Sequence, residues 1–230
     1  TGLVDKSLVT LDAEGGRYAM LETVRQYAME KLDASGDGER VRDQHLGYYL
    51  SLIEKADTGL SPTEEARWLE RVDRTRENIL AAHTWSLRAP DACERSYRLV
   101  FAMRHHWFAR GQLELGHRLS LDTVANGPHE PAGIGRGRAL WVAGQISALT
   151  ARYAEARPLL EESLRIARSQ HDRAMEARVR NVLALALMGQ GNSAGAAEQC
   201  ERALDIAREM GDERRIAMAS NALAQIRRLE

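Results

Sequence analysis

Cysteine is scarce in this chain: Cys93 and Cys200 are its only two among 230 residues, and they stand far apart in stretches of helical spacing. That excludes a disulfide framework and fits a reducing compartment. Long hydrophobic runs are missing as well. No stretch approaches the ~18 consecutive apolar residues that cross a bilayer, and Thr1 opens no charged-then-apolar leader, so a cytoplasmic protein with no membrane partner is expected. An excess of one charge sign is also lacking, since 32 basic residues face 33 acidic ones for a net charge of −1. No global field therefore draws the chain to nucleic acid or to a membrane, and only local patches could. Spaced catalytic motifs are absent: there is no nucleophile elbow and no Gly-x-x-x-x-Gly-Lys-Ser/Thr phosphate loop. The expectation is a non-enzymatic chain with no cofactor. It begins without Met and mid-pattern, which is expected of a piece of something longer.

What is present is a period of forty. The stretches Gln112–Val124, Arg152–Leu164 and Asn192–Leu204 align with a small residue at Gly116, Ala156 and Ala196 and an aliphatic one at Val124, Leu164 and Leu204. The match extends upstream through Met103, Ala143, Leu183 and Leu223, and downstream through Ile166 and Ile206. Apolar residues within each unit lie three and four apart, so each unit predicts two amphipathic helices joined by a tight turn at Gly111, Ala151 or Gly191. One such pair cannot bury its apolar faces alone. Stacked pairs can, and the expected fold is mainly all-α, a helical superhelix from about residue 91 onward.

Leu183-Ala184, Leu187, Gly191-Asn192, Ala196 and Ala203-Leu204 resemble the tetratricopeptide (TPR) repeat, with small residues where paired helices pack closest. Arg168 and Arg208 stand where the repeat ends in Pro, and Arg104 stands where it wants a small residue. The repeat count gives about three and a half units, the last being the partial unit Glu213–Leu229.

Upstream, Leu3–Val9 and Arg17–Leu21 are short apolar runs around Asp12-Ala-Glu-Gly-Gly16, which predicts a β-hairpin. Glu22–Leu32 follows with Val24, Tyr27, Ala28 and Leu32 on one stripe, stopped by Ser35-Gly36-Asp37-Gly38. A lone hairpin is marginal in water and needs further packing, expected from a segment upstream. Glu39–Ala56 is a predicted helix. Pro62 opens another, Thr63–Arg88, with Ser61 as N-cap and a break near Asp73–Thr75. Ala89-Pro90-Asp91 closes this connector, and Asn126-Gly-Pro-His-Glu-Pro131 separates the first repeat from the second. The organisation read from the sequence is residues 1–36, 37–90 and 91–230.

The run Leu3-Val-Asp-Lys-Ser-Leu-Val9, Arg17-Tyr-Ala-Met-Leu-Glu-Thr-Val-Arg-Gln-Tyr-Ala28 and Lys31-Leu32 is similar to the end of the winged-helix module in signal-transduction ATPases with numerous domains (STAND), among them bacterial regulators of the LuxR, antibiotic-regulatory (SARP) and cyclase-linked types. The resemblance covers roughly residues 1–90 and implies an ATPase domain of the same protein upstream, with the repeats as its sensor.

In the TPR phase, the first helix of each pair turns four positions toward the concave side. These are Arg98, Phe101, His105 and Phe108, then Arg138, Trp141, Gln145 and Ala148, then Arg178, Asn181, Leu185 and Met188. A column of arginines interleaved with aromatic and amide side chains suits an anionic or extended polar ligand, because guanidinium binds carboxylate or phosphate through paired hydrogen bonds. The same arginines could equally be solvated or paired with Glu94, Glu114 or Glu176. His105-His106 and His117 lack the ligand set a metal needs, and Gly133-Ile-Gly-Arg-Gly137 lacks the strand and the Lys-Ser/Thr of a phosphate loop. Lys6, Arg17 and Arg25 could touch DNA phosphates, but Asp5, Asp12, Glu14 and Glu22 offset them, so nucleic acid is set aside as a partner of this stretch. The function read here is a sensor and interaction region of a bacterial signalling ATPase that regulates transcription, with a protein, a peptide or a small inducer in its groove. A peptide scaffold without switching, a DNA-contacting wing, a regulatory segment of a nucleotide cyclase and a homodimer through the solenoid ends stand as alternatives.

Overall fold

The computed structural model describes residues 2–12, 17–88, 93–127 and 133–229. Two compact units divide at Gly47, residues 1–47 and 48–230.

In the first unit, Gly2–Asp5 forms one helical turn, α1. Strand β1 (Thr10–Asp12) pairs antiparallel with β2 (Arg17–Ala19), Leu11 opposite Tyr18. The strand expected over Leu3–Val9 is therefore corrected. Ser7 N–H donates to the Val4 carbonyl (2.9 Å), Leu8 N–H donates to that of Leu3 (3.1 Å), and Ser7 turns to φ 56°, which closes the segment into a turn. Asp5-Lys6-Ser7 carries none of the branched or aromatic side chains that favour a pleated surface, and pairing starts only at Thr10. The second strand ends two residues earlier than expected, at Ala19. The turn read at residues 13–16 lies outside the described residues. Helix α2 (Glu22–Ala34) follows, with Val24 and Leu32 half-buried and Tyr27 exposed. Ser35 Oγ donates to the Leu32 carbonyl (2.7 Å) at its end, and Gly36 continues at φ 78°, a conformation that a side chain would strain.

Helix α3 (Gly38–Ile53) leads into the second unit, where a 3-10 turn at Glu54–Thr58 precedes α4 (Pro62–Arg74). Pro62 sits where its missing N–H costs nothing, and Ser61 with Glu64 forms a reciprocal cap: Glu64 N–H donates to Ser61 Oγ at 3.4 Å and Ser61 N–H to the Glu64 carboxylate at 2.9 Å. The helix breaks at Thr75, as the sequence led one to expect, and resumes as α5 (Arg76–Ser86). The connector end read at Ala89-Pro90-Asp91 and most of the spacer through Pro131 lie outside the described residues.

Seven helices of similar length follow: α6 (Cys93–Arg110), α7 (Leu113–Asn126), α8 (Ile134–Leu149), α9 (Tyr153–Ser169), α10 (Arg173–Gly189), α11 (Ser193–Glu209) and α12 (Glu213–Leu229). The fold is a stack of antiparallel helix pairs, as the forty-residue period predicts. The turns recur at half that interval. Gly111, Ala151, His171, Gly191 and Gly211 all have φ between 53° and 79°. At each, the following amide reaches back five residues, from Gln112 to Trp107 (2.9 Å), Arg152 to Ser147 (2.8 Å), Asp172 to Ala167 (2.9 Å), Asn192 to Leu187 (2.9 Å) and Asp212 to Ala207 (3.0 Å). This is the Schellman closure, which satisfies carbonyls that a helix end leaves bare. Ala151 carries a Cβ where glycine is unstrained. Ala151→Gly is therefore expected to raise stability by about 0.5–1 kcal/mol, because relief of left-handed strain outweighs the added freedom of the unfolded chain; chemical denaturation of the two proteins checks this.

Small residues set the close approaches. A Cβ on Gly116 would lie 2.7 Å from the Trp107 ring, and one on Gly144 would lie 2.7 Å from Leu160. Ala156 and Ala196 are fully buried. The first helix of a pair and the second thus interlock at the positions that the period singled out.

Candidate ligand groove

The forty-residue phase brings the same helical face of α6, α8, α10 and α12 to one side of the repeat stack. Their side chains enclose a cavity of about 410 Å³. Six of the ten residues read from the sequence line it: His105 and Phe108 from α6, Trp141 and Gln145 from α8, Arg178 and Asn181 from α10. Trp141 and Gln145, four apart on α8, share a face for the reason any i, i+4 pair does. Asn181 stands forty residues after Trp141 and continues the column onto the next helix pair.

Three others fall in a separate cavity of about 160 Å³, lined by Arg98, Phe101 and Arg138 together with Glu54 and Glu94. The arginine column is thus split. Arg98 is held by Glu54 through two hydrogen bonds of 2.7 Å, and that carboxylate raises its pKa further above the ordinary value. Arg138 lies 3.9 Å from Asp172 and 5.2 Å from the Phe101 ring centroid, with Phe101 and Trp141 6.0 Å apart. Arg98 and Arg138 meet carboxylates of Glu54 and Asp172, not those of Glu94, Glu114 or Glu176 that the sequence suggested. Burial pushes the Glu94 carboxyl above its usual range, against the pull of Arg138 and Arg98. Leu185 lines neither of these cavities and is 40% exposed.

The sequence reading missed Arg104, Val182, Asp212, Arg214, Arg215 and Met218, which complete the larger cavity. Met218 had a legible signal, since it stands forty residues after Arg178. Arg104, the residue out of place in the repeat pattern, is buried with its guanidinium 3.7 Å above the Phe101 ring, where cation and π-face attract. Asp212 accepts from the Arg215 amide (3.0 Å) and from its side chain. Three polar atoms of the lining residues, Trp141 Nε1, Gln145 Oε1 and Asn181 Oδ1, are closed off from solvent without a hydrogen-bond partner, although buried polar atoms are nearly always paired.

His83, His106 and His117 are held by partners within the chain. His106, fully buried, meets Asp73 at 2.6 Å, and Arg110 reaches the same carboxylate at 2.7 Å. Burial pushes the Asp73 pKa up, but those two partners outweigh it and hold it below the ordinary value. His83 bonds Thr123 (2.8 Å) and His117 bonds Ser147 (2.8 Å). Burial lowers the pKa of both, and Arg152 adds to the effect at His117. Above the ordinary histidine value both are neutral whether folded or not. As pH falls below it the unfolded chain takes up protons that the fold refuses, so stability declines until the lowered native values are reached. The urea midpoint is expected to drop as pH falls below about 6.5, and to drop less in a His83→Gln/His117→Gln variant. Gly133 precedes α8 and Arg136 is buried, bonding Glu162 (2.9 Å) and the Val124 carbonyl (2.8 Å), so this segment anchors α8 against the preceding and following helices.

Comparison with known proteins fits this geometry. Residues 135–209 match the tetratricopeptide repeat family. The chain contains a TPR region. It is 32% identical over 235 aligned positions, 92% of its length, to Rv0890c of Mycobacterium tuberculosis (strain ATCC 25618 / H37Rv) and to Mb0914c of Mycobacterium bovis (strain ATCC BAA-935 / AF2122/97), proteins provisionally named HTH-type transcriptional regulators. It spans 24% of the length of these relatives. Among solved structures, the MamA RS-1 ArsTM double mutant aligns with 72% of the chain and 94% of its own, at a TM-score of 0.43 and 15% identity. The chain is thus homologous to a segment of proteins that carry that provisional name. Among the described residues no helix is long and apolar enough to cross a membrane, and no cluster of three His, Cys, Asp or Glu is placed to hold a metal.

Proposed function

We propose that this chain is the non-catalytic sensor and interaction region of a transcription regulator of the signalling-ATPase type, and that a partner or inducer seated on the TPR face biases the output of the whole protein. The observation that carries the reading is the 410 Å³ cavity, which draws residues from four helices of the stack. Homology to regulators supports the transcriptional setting. The likeness of roughly residues 1–90 to the end of a winged-helix module supports an ATPase domain of the same protein as the partner that hears the signal. Stacked helix pairs suit this task, because each touches only its neighbours and a ligand bridging several of them changes their relative tilt.

Transcript profiling tests the reading. Strains carrying wild-type regulator and a Trp141→Ala/Arg178→Glu variant are expected to differ in the regulated set of genes, with both proteins present at equal levels. Identical profiles under all growth conditions would remove the groove from the mechanism.

A further inference from the structure

We propose that Glu54 is a built-in stand-in for a carboxylate ligand: it holds Arg98 in this structure, and a compact organic acid entering the adjoining cavity takes its place and frees the turn that Glu54 begins. The inference concerns the 160 Å³ cavity and does not depend on what occupies the larger one. Geometry is the first argument. Arg98 Nε and Nη2 each donate to a separate oxygen of Glu54 at 2.7 Å, the side-on fork in which a guanidinium receives any carboxylate. The repeat phase sets Arg98 among the concave positions, but its partner comes from the connector, 44 residues away. An acid from outside the repeats thus fills a place that the repeat pattern turns toward a ligand.

Room is the second argument. The fork borders the cavity together with Phe101 and Arg138, so the body of a ligand has space beside the guanidinium that its carboxylate would use. At 160 Å³ the cavity is smaller than the roughly 300–1,000 Å³ of sites for drug-sized molecules, which limits the ligand to a compact acid. Glu94, the other acid of the lining, has its carboxylate over Gly135 in the first turn of α8, where the helix dipole favours negative charge. It leaves the fork to Glu54.

The exchange is also cheap. The side chains of Arg98 and Glu54 are 46% and 32% exposed, and an ion pair so open contributes little to stability. A displaced Glu54 carboxylate returns to water, while the incoming acid repeats both hydrogen bonds and adds contact with Phe101. Ile53, the last residue of α3, is fully buried and stays anchored. Release is therefore confined to the 3-10 turn Glu54–Thr58, which Gly59 ends at φ 75°.

Thermal melting of the wild-type chain, Glu54→Gln and Arg98→Gln with sodium acetate and sodium benzoate tests this, with sodium chloride at equal ionic strength and benzamide as controls. The openness of the pair lets both variants fold. Glu54→Gln removes the competing charge, so at least one of the two acids at about 50 mM is expected to raise its melting temperature by roughly 2 °C or more, and the wild type by less than half as much. Arg98→Gln should show no shift beyond the controls. Endoproteinase Lys-C reads the turn, because Lys55 is exposed within it and is the only lysine after Lys31. Cleavage at Lys55 relative to Lys31 should quicken several-fold in Arg98→Gln, which leaves the residues beside the cut unchanged. Equal shifts in wild type and Glu54→Gln, a shift retained in Arg98→Gln, no shift in any of the three, or cleavage at Lys55 unchanged in Arg98→Gln overturns the proposal.

Discussion

Truncating Trp107 to alanine is expected to destabilise the repeat unit by about 3–5 kcal/mol, the range for removing a large buried aromatic side chain. Trp107 is fully buried, and its ring occupies the space that the missing side chain of Gly116 leaves open on the partner helix. The void cannot close, because α6 and α7 are tied at their turn by the Gln112-to-Trp107 backbone bond and by the positive φ of Gly111. Chemical denaturation should show a lower midpoint. Trp107→Phe should recover most of the loss, since the indole N–H has no partner to forfeit. A small effect for alanine together with a large one for phenylalanine would show that the N–H, and not the packed ring, is what matters.

The second large effect belongs to Glu176 and Arg180. Both lie on α10, 6% and 5% exposed, joined at 2.7 Å, and Arg180 also donates to Gln199 on α11 at 2.7 Å. Burial raises the Glu176 pKa, but hydrogen bonds from Arg180 and then Arg173 outweigh it and the net shift is downward. Glu176→Ala leaves a guanidinium buried without its carboxylate and is expected to cost about 3–5 kcal/mol, whereas a double replacement of both partners by methionine should cost far less, because a matched apolar pair needs no desolvation. A double-mutant cycle by denaturation measures the difference. The lowered pKa adds a pH signature: the pair's contribution is complete above the ordinary carboxylate range and is lost as pH falls through the native value, well below the histidine window.

The forty-residue period carried most of the architecture into view. Gly116, Ala156 and Ala196 marked the close packing of helix pairs, and Ser61 with Pro62 marked the start of α4. The half-period turns were harder to read, because His171 holds a left-handed conformation that nothing in its side chain advertises. Leu3–Val9 misled for a related reason: its apolar residues suit a strand, but a strand exists only through its partner, and the partner pairs from Thr10 onward.

The candidate site was legible in part. The sequence placed Arg98, Arg138 and Arg178 in one phase because a repeat copies positions faithfully from helix to helix. What a repeat does not copy is the surroundings. Glu54 lies before the repeats, forty-four residues from Arg98, and it converts that arginine from a ligand contact to half of an ion pair. Arg214, Arg215 and Asp212 enter from the start of the last helix and give the remaining cavity its charge. Within the repeats the amino-acid order by itself determined the forty-residue pairing of helices and the small residues at their close approach, since these follow from spacing along a chain. The tertiary structure alone decided which carboxylate each cation meets, because Coulomb and hydrogen-bond partners are chosen by distance in three dimensions and not by separation in sequence.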